Sequence, residues 1–193
     1  MRKPHHPRVA VSVALAAALT VTSGVAEEPT VPVGLQVELV ARVSGYDRNF
    51  TGRAGEKAHV LVVARPGNLD STSVSREALR AFRATSTIGG VPVEADPIDY
   101  ASAAALVDET KRRKAAIVYF APGFTDEAAK LAAAFSGMDV LTVSSIAADV
   151  EKGIVLGFDL ASGRPKLLVH LTQERKQNAA FKAEALKLMK VYE

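Results

Sequence analysis

Few residues in this chain are of types and spacings that do chemistry. Ser144-Ser145 follow an apolar run, the place where a nucleophile would sit, but no G-x-S-x-G surrounds them. Ser144 is better read as the cap of a short following helix. Outside the first 26 residues the histidines are His59 and His170, both inside strand-like runs. Neither has the i, i+4 partner that would build a helical metal site, so half-buried or edge-strand histidines are expected. Asp159 and Glu174 could approach His170 only through the fold. Gly52-Arg53-Ala54-Gly55-Glu56-Lys57 has phosphate-loop composition without the G-x-x-x-x-G-K-[ST] spacing, and it precedes the first strand, so it reads as a surface loop. No G-x-G-x-x-G follows a strand. No catalytic, cofactor or metal site is therefore expected. The remaining polar cluster is Tyr46-Asp47-Arg48-Asn49, an aromatic with charges of both signs, a combination that suits partner contact. The competing reading has Asp47 and Asn49 forming turns and Arg48 pairing locally.

The elements that must position these residues follow from hydrophobic periodicity. Leu35, Leu39, Val40 and Val43 recur at helical spacing and stop near Ser44-Gly45. Ala58 to Ala64 is a nearly continuous β-branched run, the pattern of a strand covered on both faces. After Pro66-Gly67-Asn68, Ser73 is placed to cap a helix burying Val74, Ala78, Leu79 and Phe82. Gly89-Gly90 leads into a strand over 91–95, and Asp99 opens a helix whose cationic end, Lys111 to Lys114, suits the helix dipole. A strand over 115–120, a helix capped by Thr125-Asp126-Glu127 and a strand over 140–143 complete a β-α-β-α-β-α-β alternation. Such alternation predicts one domain with a mostly parallel sheet and helices on both faces.

The stretch from Met138 to the C-terminus closes the unit. It reads as the strand over 140–143, a short helix over 144–152 stopped by Gly153, and a hairpin of 154–160 and 166–171 around Ala161-Ser162-Gly163-Arg164-Pro165. A final helix capped by Thr172 would carry Ala180, Phe181, Ala185, Leu188 and Met189 on one stripe. The predicted class is thus α/β: a single domain, mostly parallel sheet flanked by helices, with a C-terminal antiparallel hairpin and closing helix.

Arg2, Lys3 and Arg8, the apolar run over 9–21 and the small residues Ser23-Gly24-Val25-Ala26 have the order of a secretory signal peptide, cleaved before Glu27. An uncleaved anchor is the alternative, although the run is short of the roughly 20 residues of a membrane span. Residues 27–32 read as a disordered leader and 33–193 as the folded domain. Of the 24 basic and 21 acidic residues, three basic ones lie in the signal, which leaves 21 of each sign. A neutral mature chain argues against nucleic acid. With no cysteine there are no disulfides, thiolate metal sites or lipoprotein anchor.

The order of these elements resembles the YfiR-like (YfiR/HmsC-like) family. The residues that carry the resemblance are Leu141-Thr142-Val143-Ser144, Gly153, the hairpin over 154–171, Ala185 to Lys190, Val60 to Val63, and the first helix over 35–50 ending in Tyr46-Asp47-Arg48-Asn49. The resemblance implies a periplasmic protein that binds and represses the periplasmic part of an inner-membrane diguanylate cyclase. That action would limit cyclic-di-GMP synthesis and restrain biofilm formation. The chain lacks the cysteines of the better-known members and the W-P that follows their first helix, which removes redox control and leaves a sensor kinase or another membrane receptor as other partners. A homodimer stays open. The alternative function is a periplasmic small-molecule binder; an enzyme ranks behind both.

Overall fold

In the computed structural model, residues 29–193 and Met1 are described. The expected signal peptide and its cleavage site lie outside the described residues, apart from Met1. The elements are, in order, α1 (Val33–Ser44), α2 (Phe50–Ala54), β1 (Ala58–Ala64), α3 (Leu69–Ala84), β2 (Thr87–Ile88), β3 (Val91–Asp99), α4 (Ala103–Arg113) and β4 (Ile117–Phe120). There follow α5 (Ala128–Phe135), β5 (Leu141–Ser144), α6 (Ala148–Glu151), β6 (Leu156–Ala161), β7 (Arg164–His170), α7 (Leu171–Lys176), α8 (Ala183–Leu186) and β8 (Lys190–Tyr192).

One sheet runs in the order β2-β3-β1-β4-β5-β6-β7-β8. From β3 to β6 neighbouring strands are parallel, β6 and β7 form the expected antiparallel hairpin, and β8 returns parallel to β7. The near-continuous apolar strands are explained by alternation. Val60 and Val62 face one core with Val37, Val40 and Phe82, while Leu61 and Val63 face the other with Leu106, Leu131 and Phe135. Helices α1 and α3 cover the first face; α4 and α5 cover the second. Across the first face, buried Tyr119 donates to Gln36 Oε1 at 2.8 Å, and Gln36 Nε2 donates to the Val31 carbonyl at 2.8 Å. Val31 is fully buried, so the packed chain begins inside the leader expected over 27–32.

The seam between β5 and β6 is narrow. A single register pair, Val143 with Leu156, joins them. Side chains complete the junction: Gln177 Oε1 accepts from the Thr142 amide at 3.2 Å and its hydroxyl at 3.0 Å, and Thr142 Oγ1 accepts from Val155 N at 3.2 Å.

The C-terminus corrects the expected single closing helix. The chain forms α7, turns at Asn178 in the left-handed region (φ 54°), makes the four-residue α8, and ends as β8 on the edge of β7. His170, not Thr172, caps α7, its Nδ1 accepting from Gln173 N at 3.3 Å. Leu188, expected on the buried stripe, is 72% exposed, whereas Phe181, Ala185 and Met189 are buried. Other helix starts also move: Asn68 caps α3 in place of Ser73, and Ser102 caps α4 in place of Asp99, because β3 continues to Asp99. In these two cases a residue just before the helix offers the side-chain oxygen that the first amides need.

Candidate functional site

The chain crosses from β1 to β3 through α3 on one face and returns through α4 on the other, so the strand order reverses between β1 and β4. In doubly wound sheets this switch point opens a crevice at the carboxyl ends of the strands. Here four residues from three loops meet. Arg65 follows β1, Tyr100 follows β3, and Phe124 and Glu127 follow β4. The Arg65 guanidinium lies 4.9 Å from the Phe124 ring centre and 5.4 Å from that of Tyr100, and the two rings stand edge to face at 5.1 Å. Arg65 Nη2 donates to Glu127 Oε1 at 2.6 Å, and the Tyr100 hydroxyl donates to Oε2 at 2.6 Å. These hydrogen bonds hold the Glu127 carboxyl below its ordinary range, Tyr100 first and Arg65 second. Burial, then the Glu127 bond, pushes the Tyr100 phenol up to about 12. Gly123 lets the β4 loop approach: its φ is +95°, and a Cβ there would stand 2.8 Å from Asn68 Nδ2 at the start of α3.

Beside this crevice, at the end of β5, Asp149 is fully buried and accepts from Ser144 Oγ at 2.6 Å and Thr125 Oγ1 at 2.5 Å. Ser144 Oγ also accepts from Ile146 N at 3.1 Å, so its expected capping role becomes a turn two residues before α6. His59 lies half-buried in β1 and His170 caps α7. Burial lowers the His170 pKa. Among the described residues no group of three or more His, Asp or Glu is placed to hold a metal ion.

The Tyr46–Asn49 cluster divides in two. Asp47 turns inward with its side chain fully buried: Oδ2 accepts from Arg53 Nη1 at 2.8 Å, and Oδ1 accepts from Asn49 N at 3.0 Å and Ala180 N at 2.9 Å. Arg53 is almost equally buried; its Nε donates to Asp139 at 2.8 Å and its Nη2 to the Asn178 carbonyl at 2.9 Å. Asn49 Nδ2 donates to the same carbonyl at 2.8 Å. Main-chain bonds from Arg48 N to Ala180 O and from Lys182 N to Tyr46 O complete a clasp between the end of α1 and the C-terminal segment. Tyr46 and Arg48 project outward, Tyr46 with 47% exposure.

Tyr46 borders an apolar groove of about 220 Å³, lined by Leu39 and Val43 of α1, Leu167 of β7, and Leu188 and Met189 after α8, with Arg42 and Glu184 at its rim. The apolar surface continues along the sheet. Leu160 shares the face of Phe158 two residues earlier, and Val191 is paired with Val169 of the same core; both are exposed. Tyr46 was the accessible part of this surface in sequence. Leu188 reads as core in sequence and Glu127 as part of a helix cap, whereas the Glu127 carboxylate serves Arg65 and Tyr100. No sequence pattern marks Arg65, Tyr100 or Phe124 beyond the Pro-Gly pairs after β1 and β4.

Fold and site together define a one-lobed, doubly wound α/β domain whose switch point is occupied by its own Arg65, Tyr100, Phe124 and Glu127 and whose first face carries an apolar groove at its edge. The chain belongs to the YfiR/HmsC-like family, whose profile matches residues 45–190. Membership supports a periplasmic, regulatory role in general terms. Among the described residues no helix is long and apolar enough to cross a membrane. Similar solved structures include a conserved domain protein of Vibrio cholerae, with TM-score 0.59 and 12% identity, covering 84% of this chain and 60% of that one. An ABC domain from Streptococcus pneumoniae in complex with L-Trp has TM-score 0.58 and 10% identity, covering 84% and 62%. CD0873, a substrate binding protein with adhesive properties from Clostridium difficile, has TM-score 0.54 and 10% identity, covering 75% and 57%. The chain thus spans about three fifths of the length of each, and the likeness is one of fold. No curated protein sequence matches the chain.

Proposed function

We propose that this chain is exported by its N-terminal signal, cleaved near Ala26, and acts in the periplasm by binding the periplasmic part of an inner-membrane signalling protein. A diguanylate cyclase is the partner that the family favours, with repression of cyclic-di-GMP synthesis as the outcome and a sensor kinase as the other candidate. The action is through binding and not turnover. One observation carries this reading: the apolar groove beside α1 leaves Tyr46 and Leu188 exposed among the described residues. Tyrosine and arginine side by side, Tyr46 and Arg48, are the residue types that anchor interfaces.

The test is binding of the purified mature chain to the periplasmic parts of such sensors, measured by calorimetry. Tyr46→Ala with Leu188→Ala should weaken binding by about 2 kcal/mol or more if both are anchors. Circular dichroism of the double variant should match the parent, since Leu188 is largely exposed and Tyr46 about half exposed. Unchanged binding by the folded variant would place the interface elsewhere. Failure of the parent to bind any sensor would favour the second reading, a small-molecule binder, which draws support from the fold of the substrate binding protein above.

A further inference from the structure

We infer that the switch-point crevice is a carboxylate-binding site that the chain occupies with its own Glu127, and that a small free carboxylate can take its place. This stands apart from the partner reading and rests on four features of the site. First, the two donors on Glu127 come from separate loops, Arg65 after β1 and Tyr100 after β3, and bond one oxygen each at 2.6 Å. An ordinary surface pair on this protein looks different: Glu109 meets Arg112 and Arg113 within a single turn of α4. Second, the guanidinium is oriented without help from Glu127. It is held against the faces of Tyr100 and Phe124, and the Arg65 amide is fixed by Ser71 Oγ at 2.8 Å. Third, Arg65 Nε is buried and meets no acceptor among the described residues. Glu127 therefore uses one prong of the guanidinium fork, whereas a free carboxylate can approach side-on and engage Nε and Nη2 together. Fourth, the pair is reachable, with side-chain exposures of 31% for Arg65 and 28% for Glu127.

The chemical class follows from the donors. Two N–H groups of a planar cation and one phenolic O–H match a planar anion with two oxygens, and the aromatic walls favour a small apolar substituent on it. Tethered Glu127 competes at high effective concentration, so a bare monocarboxylate binds the wild-type chain weakly. Removing the tether exposes the site.

Glu127→Gly is the informative variant, read by thermal melting in sodium acetate and in sodium chloride at equal ionic strength. The variant should melt below wild type in chloride. Acetate should then raise its melting temperature saturably, by about 3 °C or more at high concentration. The rise should disappear when Arg65→Met is added, and Glu109→Gly should show no acetate effect. Equal shifts in acetate and chloride, or an acetate effect that survives the loss of Arg65, would overturn the inference. Should Glu127→Gly not fold in chloride, the same salts are applied to Glu127→Ala, which also removes the tethered carboxylate but is less permissive in the backbone. No acetate-specific stabilisation there would count equally against the site. Sensor binding by these variants is unaffected if the crevice and the groove are separate, so the two readings fail independently.

Discussion

Replacing Asp47 by alanine tests the clasp most directly. Its carboxylate and the Arg53 guanidinium are both shut off from water, with side-chain exposures of 0% and 2%. Removing one partner of a buried pair leaves the other charge uncompensated, at a cost of about 3–5 kcal/mol. The amides of Asn49 and Ala180 lose their acceptor in the same step. These losses overlap and do not add, because all pass through one carboxylate. Arg53 keeps Asp139 and the Asn178 carbonyl, which places the expectation near the lower end, about 3 kcal/mol. For a domain of this length that corresponds to a fall in melting temperature of roughly 6–12 °C. Urea titration followed by circular dichroism supplies the free energy. Amide exchange supplies the location: the amides of Asn49, Ala180 and Lys182 should lose protection before those of β1 and β4. Asp47→Asn should fall between, since its remaining oxygen can still serve the two amides. An Asp47→Ala protein within about 1 kcal/mol of wild type would refute the assignment of this pair as the tie between α1 and the C-terminal segment.

Met189→Ala and Leu188→Ala should separate cleanly in the same titration. Buried Met189 should cost about 2–5 kcal/mol, whereas Leu188, 72% exposed, should stay within about 0.5 kcal/mol. Equal losses would mean that the α8 region packs by a different register. Stability should also fall on mild acidification through His170. Its pKa is lowered in the folded chain, so below the ordinary histidine value the unfolded chain binds the proton more readily, and stability declines until the folded pKa is passed. The raised carboxyl of Glu174 acts with the opposite sign. Comparison with His170→Asn therefore isolates the histidine, and an unchanged pH profile in that variant would remove it as the cause.

The sheet is legible because burial on both faces leaves almost no polar alternation in β1 and β4, and Pro-Gly or Gly-Gly breaks separate the runs. The closing helix was misread for an equally physical reason. Phe181, Ala185 and Met189 do fall at helical spacing, but each is buried by a different piece of local structure: the bridge to Asp47, α8, and the approach to β8. Tertiary hydrogen bonds to Asn178, Ala180 and Lys182 outweigh the propensity to continue α7. Asp47 in the same way reads as a loop residue and is a buried anchor, because one of its partners, the Ala180 amide, lies 133 residues away. Arg65 and Glu127 are 62 residues apart, and neither has a local pattern that marks it as half of a pair.

The seam at β5 and β6 bears on how the chain acquires its shape. Hairpin β6–β7 is stitched over six register pairs by neighbours close in sequence, while β3, β1, β4 and β5 are stitched by long crossovers. One register pair, the bond from the Val155 amide to the Thr142 hydroxyl and the Gln177 side chain join the two assemblies. Gln177 comes after both, so the bond that welds them becomes available only when translation or translocation has passed α7. A chain halted before that residue would hold its two half-sheets through one register pair and one threonine hydroxyl. Incompletely paired edges are templates for strand exchange between molecules, so the Gln177 bonds to Thr142 narrow the interval in which this seam can pair with another copy.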